Sequence, residues 1–494
     1  MGDVYSAALA RIKAQGVEKS RLGMAALMWI SHSQRPLQAD ELSHALAVEI
    51  GSMDLDADNA PSIVTVLSCC QGLVTMDKES SVVRLIHFTL QEYLSSHPEF
   101  FDRAHSTISE TCLTYLSSRQ VKALSLTASR DRRGTPLLEY SSVYWGTHAK
   151  IKLSDCAKSL ALELFCQYDK HISAKSLLEK VGCNLDPQNE HLLFTGLHCV
   201  SFFGIVEVVT TLIEMRGCDI DQRDCTGATP LIWATRNGHS AVVKLLQERE
   251  DVSPNNPDED QSSLSWAARK NHKGAMKQQP RREGVSPDTP DKSFYQTPLL
   301  WTSNNGNEEV KLLLKREDVN PDKPDEEGQT SLLWAAESGN EEVVMKLLER
   351  EDVDPGKPDA EGRTPLLWAA RKGHVGISKL LLSRGDVNPN KPDNGGRTPL
   401  LWAARKGHEG MVELLLERED VDPNKPDGRD QTALLWAARN GHVEVVGLLL
   451  EREDINLDKP DKKGRTASEW ATIEKHNGVL ELLHARKPTA PSTI

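Results

Sequence analysis

The sequence predicts a mainly helical protein, in which a long array of stacked helix–turn–helix units follows a smaller, non-repeating helical region. Three observations predict it. Trp233, Trp266, Trp301, Trp334, Trp368, Trp402, Trp436 and Trp470 recur 33 to 35 residues apart, a period that marks stacked structural units. The same string of turn and helix signals surrounds most of these tryptophans. Residues 1–185 share none of it.

The unit is clearest at 359–392. Asp359-x-x-Gly362 makes a tight turn, since glycine accepts positive φ and the aspartate can take nearby backbone donors. Thr364-Pro365 opens a helix: the threonine accepts from orphan amides and the proline fits the first helical position. Leu366-Leu367-Trp368-Ala369-Ala370 is a short helix whose alanines permit close approach, and Gly373 ends it. After His374 a second helix carries Ile377, Leu380 and Leu381 at helical spacing. The proline-containing stretch 386–392 then returns the chain to the next turn.

Nine units are expected, one degenerate at about 190–223 and eight starting at Asp224, Asp258, Asp291, Asp325, Asp359, Asp393, Asp427 and Asp461. With helix layers roughly 8–10 Å apart, the array should run for about 80–90 Å. In the unit 258–290 the second helix reads Gly274-Ala275-Met276-Lys277-Gln278-Gln279-Pro280 where another unit has Gly410-Met411-Val412-Glu413-Leu414-Leu415-Leu416. Core leucines are missing, and a proline inside a helix costs roughly 3 kcal/mol. A local break near 274–286 is expected, dividing the array. Glu469, where other units have an apolar residue or serine, suits a closing unit with one wet face.

This unit resembles the ankyrin repeat, whose hallmark is Thr-Pro-Leu-His-x-Ala-Ala, and the resemblance covers about 186–487. The implied fold is all-α dominated: an ankyrin-repeat solenoid with β-turn tips. Thr195-Gly196-Leu197-His198 keeps the family's histidine, and most later units place Leu or Ile there. Glu-Arg-Glu-Asp usually stands after the second helix where the family favours glycine, kept only at Gly385. A less regular helix end is expected there. The tryptophan ladder reads as core between units rather than as a ligand-stacking stripe.

In ankyrin folds the turn tips and the exposed side of the first helix line a concave surface used for partners. On those positions this chain carries Arg363, Arg371, Lys372, Arg397, Arg405, Lys406, Arg429, Arg439, Lys462, Lys463 and Arg465. A basic stripe of this kind favours an acidic protein partner, with an association rate that falls as salt rises. Charges copied by duplication onto a solvated surface are the alternative.

In the first part, helical periodicity appears at Val4–Ile12, Leu22–Ser33, Asp40–Glu49 and Ala60–Cys70. Strand-like stretches Leu73–Met76 and Val82–Phe88 flank a polar turn at Asp77-Lys78-Glu79-Ser80. Three helices and a two-stranded wing describe a winged-helix domain over 1–104, followed by a helical linker over 105–185. Its third helix, Ser62–Cys70, carries no positive charge, so DNA reading is not expected.

Trp29-Ile30-Ser31-His32, Arg35-Pro36-Leu37, Glu41-Leu42-Ser43-His44-Ala45-Leu46-Ala47, Gly72-Leu73-Val74 and Arg84-Leu85-Ile86-His87-Phe88-Thr89-Leu90-Gln91-Glu92-Tyr93-Leu94 resemble the winged helix of fungal NACHT–ankyrin proteins. The same domain class is described from GPI inositol-deacylase. Leu138-Glu139-Tyr140-Ser141-Ser142-Val143-Tyr144-Trp145-Gly146-Thr147-His148-Ala149 resembles the helical segment that follows it there. The resemblance covers about 1–150 and implies an NLR-like (STAND) signalling protein of self/non-self recognition: a nucleotide-binding module, this winged helix, then a sensing array. The module's G-x-x-x-x-G-K-[ST] occurs nowhere in this sequence. The expectation is a chain that starts where that module would end, working with one supplied by another chain or lost from this one. His87 matches the family's winged-helix histidine and is expected to be structural here.

Charge and motif content narrow the chemistry. Net charge is −13, with 19 Lys+Arg against 20 Asp+Glu in residues 1–185 and 40 against 52 in the rest. General attraction of the acidic array to nucleic acid or an anionic membrane is not expected. No G-x-S-x-G elbow occurs, so no lipid hydrolysis is expected. His239, His272, His374, His408 and His442 recur one layer apart, too far for one metal ion. Cys166-x4-His171 and Cys218-x6-Cys225 lack a second ligand pair. All nine cysteines lie at or before Cys225, without CxxC spacing, and no signal-peptide pattern or membrane-spanning run is present.

The expectation is a reduced, cytoplasmic, non-enzymatic protein scaffold with no cofactor, metal or nucleotide, the nucleus remaining open. Met1-Gly2-Asp3-Val4-Tyr5-Ser6 fits the loose myristoylation pattern, and is read as the opening of a helix. Residues 488–494 are expected to be a disordered tail.

Overall fold

In the computed structural model, which describes residues 2–56, 59–126, 134–183, 185, 192–215, 217–253, 255–258, 261–278, 285–306 and 309–486, the first element is helix α1 (Gly2–Lys13). It packs on α2 (Val17–His32), whose buried side, Ala26, Leu27 and Trp29, belongs to the core of the first domain. Helices α3 (Ala39–Ala47) and α4 (Ile63–Cys69) complete the three-helix core, with Leu42, Val66 and Cys69 buried.

The wing has one strand more than the sequence suggests. Strands β1 (Leu37–Gln38), β2 (Val74–Met76) and β3 (Val82–Leu85) form an antiparallel sheet in the order β1-β3-β2. Val74 pairs with Leu85 and Met76 with Val83, while Leu37 lies opposite Val83. A two-residue strand has no alternation to detect, so only its partner reveals β1. The polar turn expected at 77–80 is closed by Asp77, whose carboxylate accepts from the Glu79 amide at 3.0 Å and the Ser80 hydroxyl at 2.8 Å. Strand β3 ends at Leu85 rather than continuing to Phe88. His87 caps α5 (Phe88–Ser96), its Nδ1 accepting from the Thr89 amide at 3.2 Å.

The stretch read as a helical linker has its own core. Helices α6 (Ala104–Ser117), α7 (Arg119–Lys122), α8 (Leu138–Ile151), α9 (Asp155–Phe165) and α10 (Ile172–Lys180) pack together, and nearly all of α6 is buried. Tyr115, Tyr140 and Trp145 are fully enclosed. This bundle meets the first ankyrin-like helices directly. Gly146 on α8 touches Phe203 so closely that a Cβ there would fall 2.2 Å from the ring. Any side chain at 146 would push the helices apart.

Helix pairs then follow at a constant period. The pairs α11 (Gly196–Phe203) with α12 (Val206–Glu214), and α13 (Pro230–Arg236) with α14 (Ser240–Gln247), belong with the preceding domains to a compact unit, residues 1–259. Residues 260–494 are a second unit. It holds α15 (Ser263–Arg269) and α16 (Lys273–Gln278), α17 (Pro298–Asn305) and α18 (Val310–Leu314), then α19 (Ser331–Ser338) and α20 (Glu341–Leu348). The last four pairs are α21 (Pro365–Lys372) and α22 (Val375–Leu382), α23 (Pro399–Lys406) and α24 (Glu409–Leu416), α25 (Ala433–Asn440) and α26 (Val443–Glu451), and α27 (Ala467–Ile473) and α28 (Asn477–Arg486).

Nine pairs are thus present among the described residues, in the places that the tryptophan period assigns. The break expected near 274–286 is not seen over 274–278. Helix α16 forms over Lys273–Gln278 with Ala275 and Met276 buried, but is six residues long where α20, α22 and α24 have eight. Pro280 and the rest of 279–284 lie outside the described residues, as do 488–494.

Candidate partner-binding surface

Each inner helix of the second unit starts as its sequence dictates. Thr297, Thr330, Thr364, Thr398 and Thr432 cap through a hydroxyl that accepts from the amide three residues on, a device worth about 1 kcal/mol per helix. These five inner helices end in left-handed glycine. At Gly407, φ is +77° and an added Cβ would meet the His442 ring 2.7 Å away, so both backbone and space require glycine.

That histidine staples adjacent repeats. His374, His408, His442 and His476 place Nε2 within 3.1–3.3 Å of the carbonyls of Glu337, Arg371, Arg405 and Arg439. The ring thereby fixes the backbone of the preceding inner helix, so these histidines are engaged in structure. Cys166 and His171 are likewise occupied separately: His171 caps α10 and reaches the Leu116 carbonyl at 3.1 Å. Among the described residues, no group of three or more His, Cys, Asp or Glu could hold a metal ion.

The tryptophans do what the family's histidine does elsewhere. His198 bonds back to Thr195 and contacts the Gln222 and Ala228 carbonyls at 3.0 and 3.2 Å. In most later units the equivalent residue is apolar, in the last it is Glu469, and the neighbouring tryptophan ties the turn instead. Trp368, Trp402, Trp436 and Trp470 donate Nε1–H to Asp359, Asp393, Asp427 and Asp461 at 3.0–3.1 Å. The same aspartates accept backbone amides of the turn, as Asp393 does from Gly395 and Arg397 at 2.9 Å. Burial acts against the Asp461 carboxylate, but the amide and guanidinium of Arg465, the Lys463 amide and the Trp470 indole outweigh it and lower its pKa to about 2.

The loops after the outer helices are also built rather than irregular. Arg350, Arg418 and Arg452 each hold the aspartate two residues on through two nitrogens, at 2.6–2.9 Å. Arg350 and Arg452 also donate Nη1–H to the Leu314 and Leu416 carbonyls of the previous repeat, at 3.0 and 3.1 Å. The arginine just before the glutamate that replaces the family's glycine therefore caps the neighbouring outer helix, as Arg384 does beside Gly385, satisfying a carbonyl that the helix end leaves open.

The basic positions sort into three groups. Arg363, Arg397 and Arg465 turn inward onto the turn aspartates Asp359, Asp393 and Asp461, at 2.7–2.9 Å, and Arg363 also pairs with Glu361. Arg371, Arg405 and Arg439 are half-buried and lie over tryptophan rings. Lys406, Arg429, Lys462 and Lys463 are exposed, as is Lys372, which pairs with Glu337 at 3.2 Å. The structure thus brings these eleven residues, from Arg363 to Arg465, onto consecutive repeats of one unit. It spends three of them on the turns. The stacking of the arginines was not legible in sequence, although their fixed spacing of three residues after each tryptophan was the available signal.

Comparison with known proteins agrees with this architecture. The model described as "Ankyrin repeats (3 copies)" matches residues 162–258, 197–278, 264–359, 345–427 and 419–491. "GPI inositol-deacylase, winged helix domain" matches residues 10–112. The chain is similar to the 26S proteasome non-ATPase regulatory subunit 10 of Dictyostelium discoideum, at 35% identity over 84 residues, which is 17% of this chain and 36% of that relative. With matches across 162–491, nine helix pairs and a repeated turn–helix–turn–helix unit, the chain belongs to the ankyrin-repeat family.

Proposed function

We propose that this protein is a non-enzymatic interaction scaffold that holds a protein partner on the inner-helix and turn side of its ankyrin repeats. The observation that carries the reading is the row of basic side chains over 363–465, set on repeats whose geometry is fixed by tryptophan–aspartate and histidine–carbonyl bonds. A rigid surface loses little freedom on binding. The local positive charge on an otherwise acidic unit favours an acidic partner by complementarity. The proteasome subunit relative, itself named as a non-ATPase regulatory subunit, is in keeping with a regulatory rather than catalytic role.

The test uses the exposed positions, which pack against nothing essential. Full-length chain carrying Lys406→Glu, Arg429→Glu and Lys462→Glu should keep its unfolding midpoint and lose partners that the parent retains at low salt. Retention of the same partners would remove the stripe from the binding surface.

A second reading is a signalling component of the NLR-like class, acting with a NACHT module. It is favoured by Ile86, His87 and Phe88, which stand exposed side by side where the wing meets α5. A Phe88→Asp chain that still captured a supplied NACHT module as well as the parent would count against it. Among the described residues, no helix is long and apolar enough to cross a membrane. A cytoplasmic setting is part of the proposal.

A further inference from the structure

In three successive repeats of the second unit, one half-buried arginine has no ion pair with a carboxylate among the described residues. Arg371, Arg405 and Arg439 follow the tryptophan by three residues in successive repeats, and each is held between two rings. The guanidinium carbon of Arg371 is 4.7 Å from the centre of Trp368 and 4.8 Å from Trp402. For Arg405 the distances are 5.1 Å to Trp402 and 4.4 Å to Trp436. For Arg439 they are 5.5 Å to Trp436 and 4.2 Å to Trp470.

No carboxylate pairs with any of the three among the described residues. Arg363, Arg397 and Arg465 lie over the same set of rings at 4.4, 4.6 and 3.8 Å, and each has its aspartate. Burial, followed by the like charges of Arg397, Arg371 and Arg439, lowers the pKa of Arg405. Like charges held at a fixed spacing repel, and at Arg405 the charge of Asp427 offsets only part of this.

The row also has ends. The equivalent position one repeat earlier is Glu337, which pairs with Lys372. One repeat later it is Ile473, which is exposed. Three guanidiniums are therefore bracketed by an acid on one side and an apolar side chain on the other.

We infer that this row seats an extended acidic peptide of the partner, with carboxylates at every third residue. The inference rests on the reading of the repeats as a partner-binding surface and specifies its ligand. Arginine favours carboxylate because its planar fork can meet both oxygens. Spacing decides the conformation. Rings that share one guanidinium are at most about 10 Å apart, in line with helix layers at roughly 8–10 Å.

A polyproline-II segment returns the same face every third residue, about 9 Å further on. A β-strand returns it every second residue, about 7 Å on, and falls out of step. An α-helix offers residues seven apart at about 10.5 Å, and drifts around its axis by ~20° each time. Polyproline II fits all three positions together.

The experiment titrates full-length protein with synthetic peptides, read by calorimetry. One peptide repeats Glu-Pro-Pro three times. The others have the same composition with the glutamates adjacent, or with glutamate at every second position, and a fourth is a helix-forming peptide with glutamates seven apart. The every-third peptide should bind about tenfold more tightly than the rearranged ones, and Arg405→Gln should remove about that factor for it alone.

Equal affinity for all acidic peptides would overturn the spacing and leave the basic surface standing. No binding of any would overturn both. Preference for the helical peptide overturns the extended conformation, and tighter binding of a single-stranded oligonucleotide overturns the acidic peptide itself. Arg405→Gln could loosen the repeat, so its unfolding midpoint is measured beside it. The comparison among peptides on the parent protein does not depend on that variant.

Discussion

The bundle of residues 104–180 and the repeats of residues 359–473 are both well buried, yet they are held together in opposite ways. In the bundle the polar contacts differ from one another, and some join distant parts of the chain. His105 and His148 sit with their Nδ1 atoms 2.8 Å apart, sharing a proton as donor and acceptor, and Tyr140 bonds the far nitrogen of His148 at 2.9 Å. His171 reaches Leu116 across 55 residues.

In the repeats each contact is a copy. The tryptophan–aspartate bond spans nine residues and the histidine staple 37, again and again. A bundle of single contacts fails as a whole when one is lost. A stack of copies distributes the loss to neighbours.

The largest effect expected from this contrast is at the ladder. Trp402→Ala removes a buried ring, the Asp393 bond and the support of Arg371, Arg397 and Arg405. It should cost about 3–5 kcal/mol. Hydrogen exchange should show that loss confined to the repeats around 393–440, with 104–180 unchanged. Uniform loss of protection across the chain would break the contrast.

Acid should act in the other direction. Burial, helped by His105 and His32, lowers the His148 pKa to about 3, and burial lowers His171 to about 4 against the partial help of the Leu116 carbonyl. Both stay neutral in the fold while an unfolded chain takes protons near pH 6.5, so bundle stability falls as pH drops from about 6.5 toward 3–4. The Asp461 carboxylate is depressed, so its contribution is present above about pH 4 and lost only toward pH 2. Region-resolved exchange between pH 7 and 4 should show the bundle loosening first. The repeats loosening first would reverse this assignment.

The smallest effect concerns a single outer-helix end. Arg452→Ala should cost about 1 kcal/mol, from the lost bond to the Leu416 carbonyl. Exchange should rise at the end of α24 and in the loop that follows it. An unchanged α24 would mean that the arginine only decorates the loop.

The repeat number, the helix starts and the glycine ends were legible because their causes are local. A threonine cap, a first-turn proline and a left-handed glycine act within four residues, and copying makes them periodic. The three helices of the winged helix and its turn at Asp77 were legible for the same reason. The cap Glu469 was legible as well, being exposed and closing a reciprocal pair with Thr466. Strand β1 was not, because two residues carry no pattern and Leu37 becomes a strand only opposite Val83.

The sequence by itself determined that this is a repeat protein with a basic row at a fixed place in its units. Only the tertiary structure decided which of those charges are spent. Arg363 and Arg371 stand eight residues apart on the same unit, and composition treats them alike. In the fold one lies within reach of a turn aspartate, and the other lies between the rings of two repeats with no acid beside it. A charge's partner is whatever lies within a few ångströms, and for a residue at a repeat boundary that neighbour is some 34 positions away in sequence.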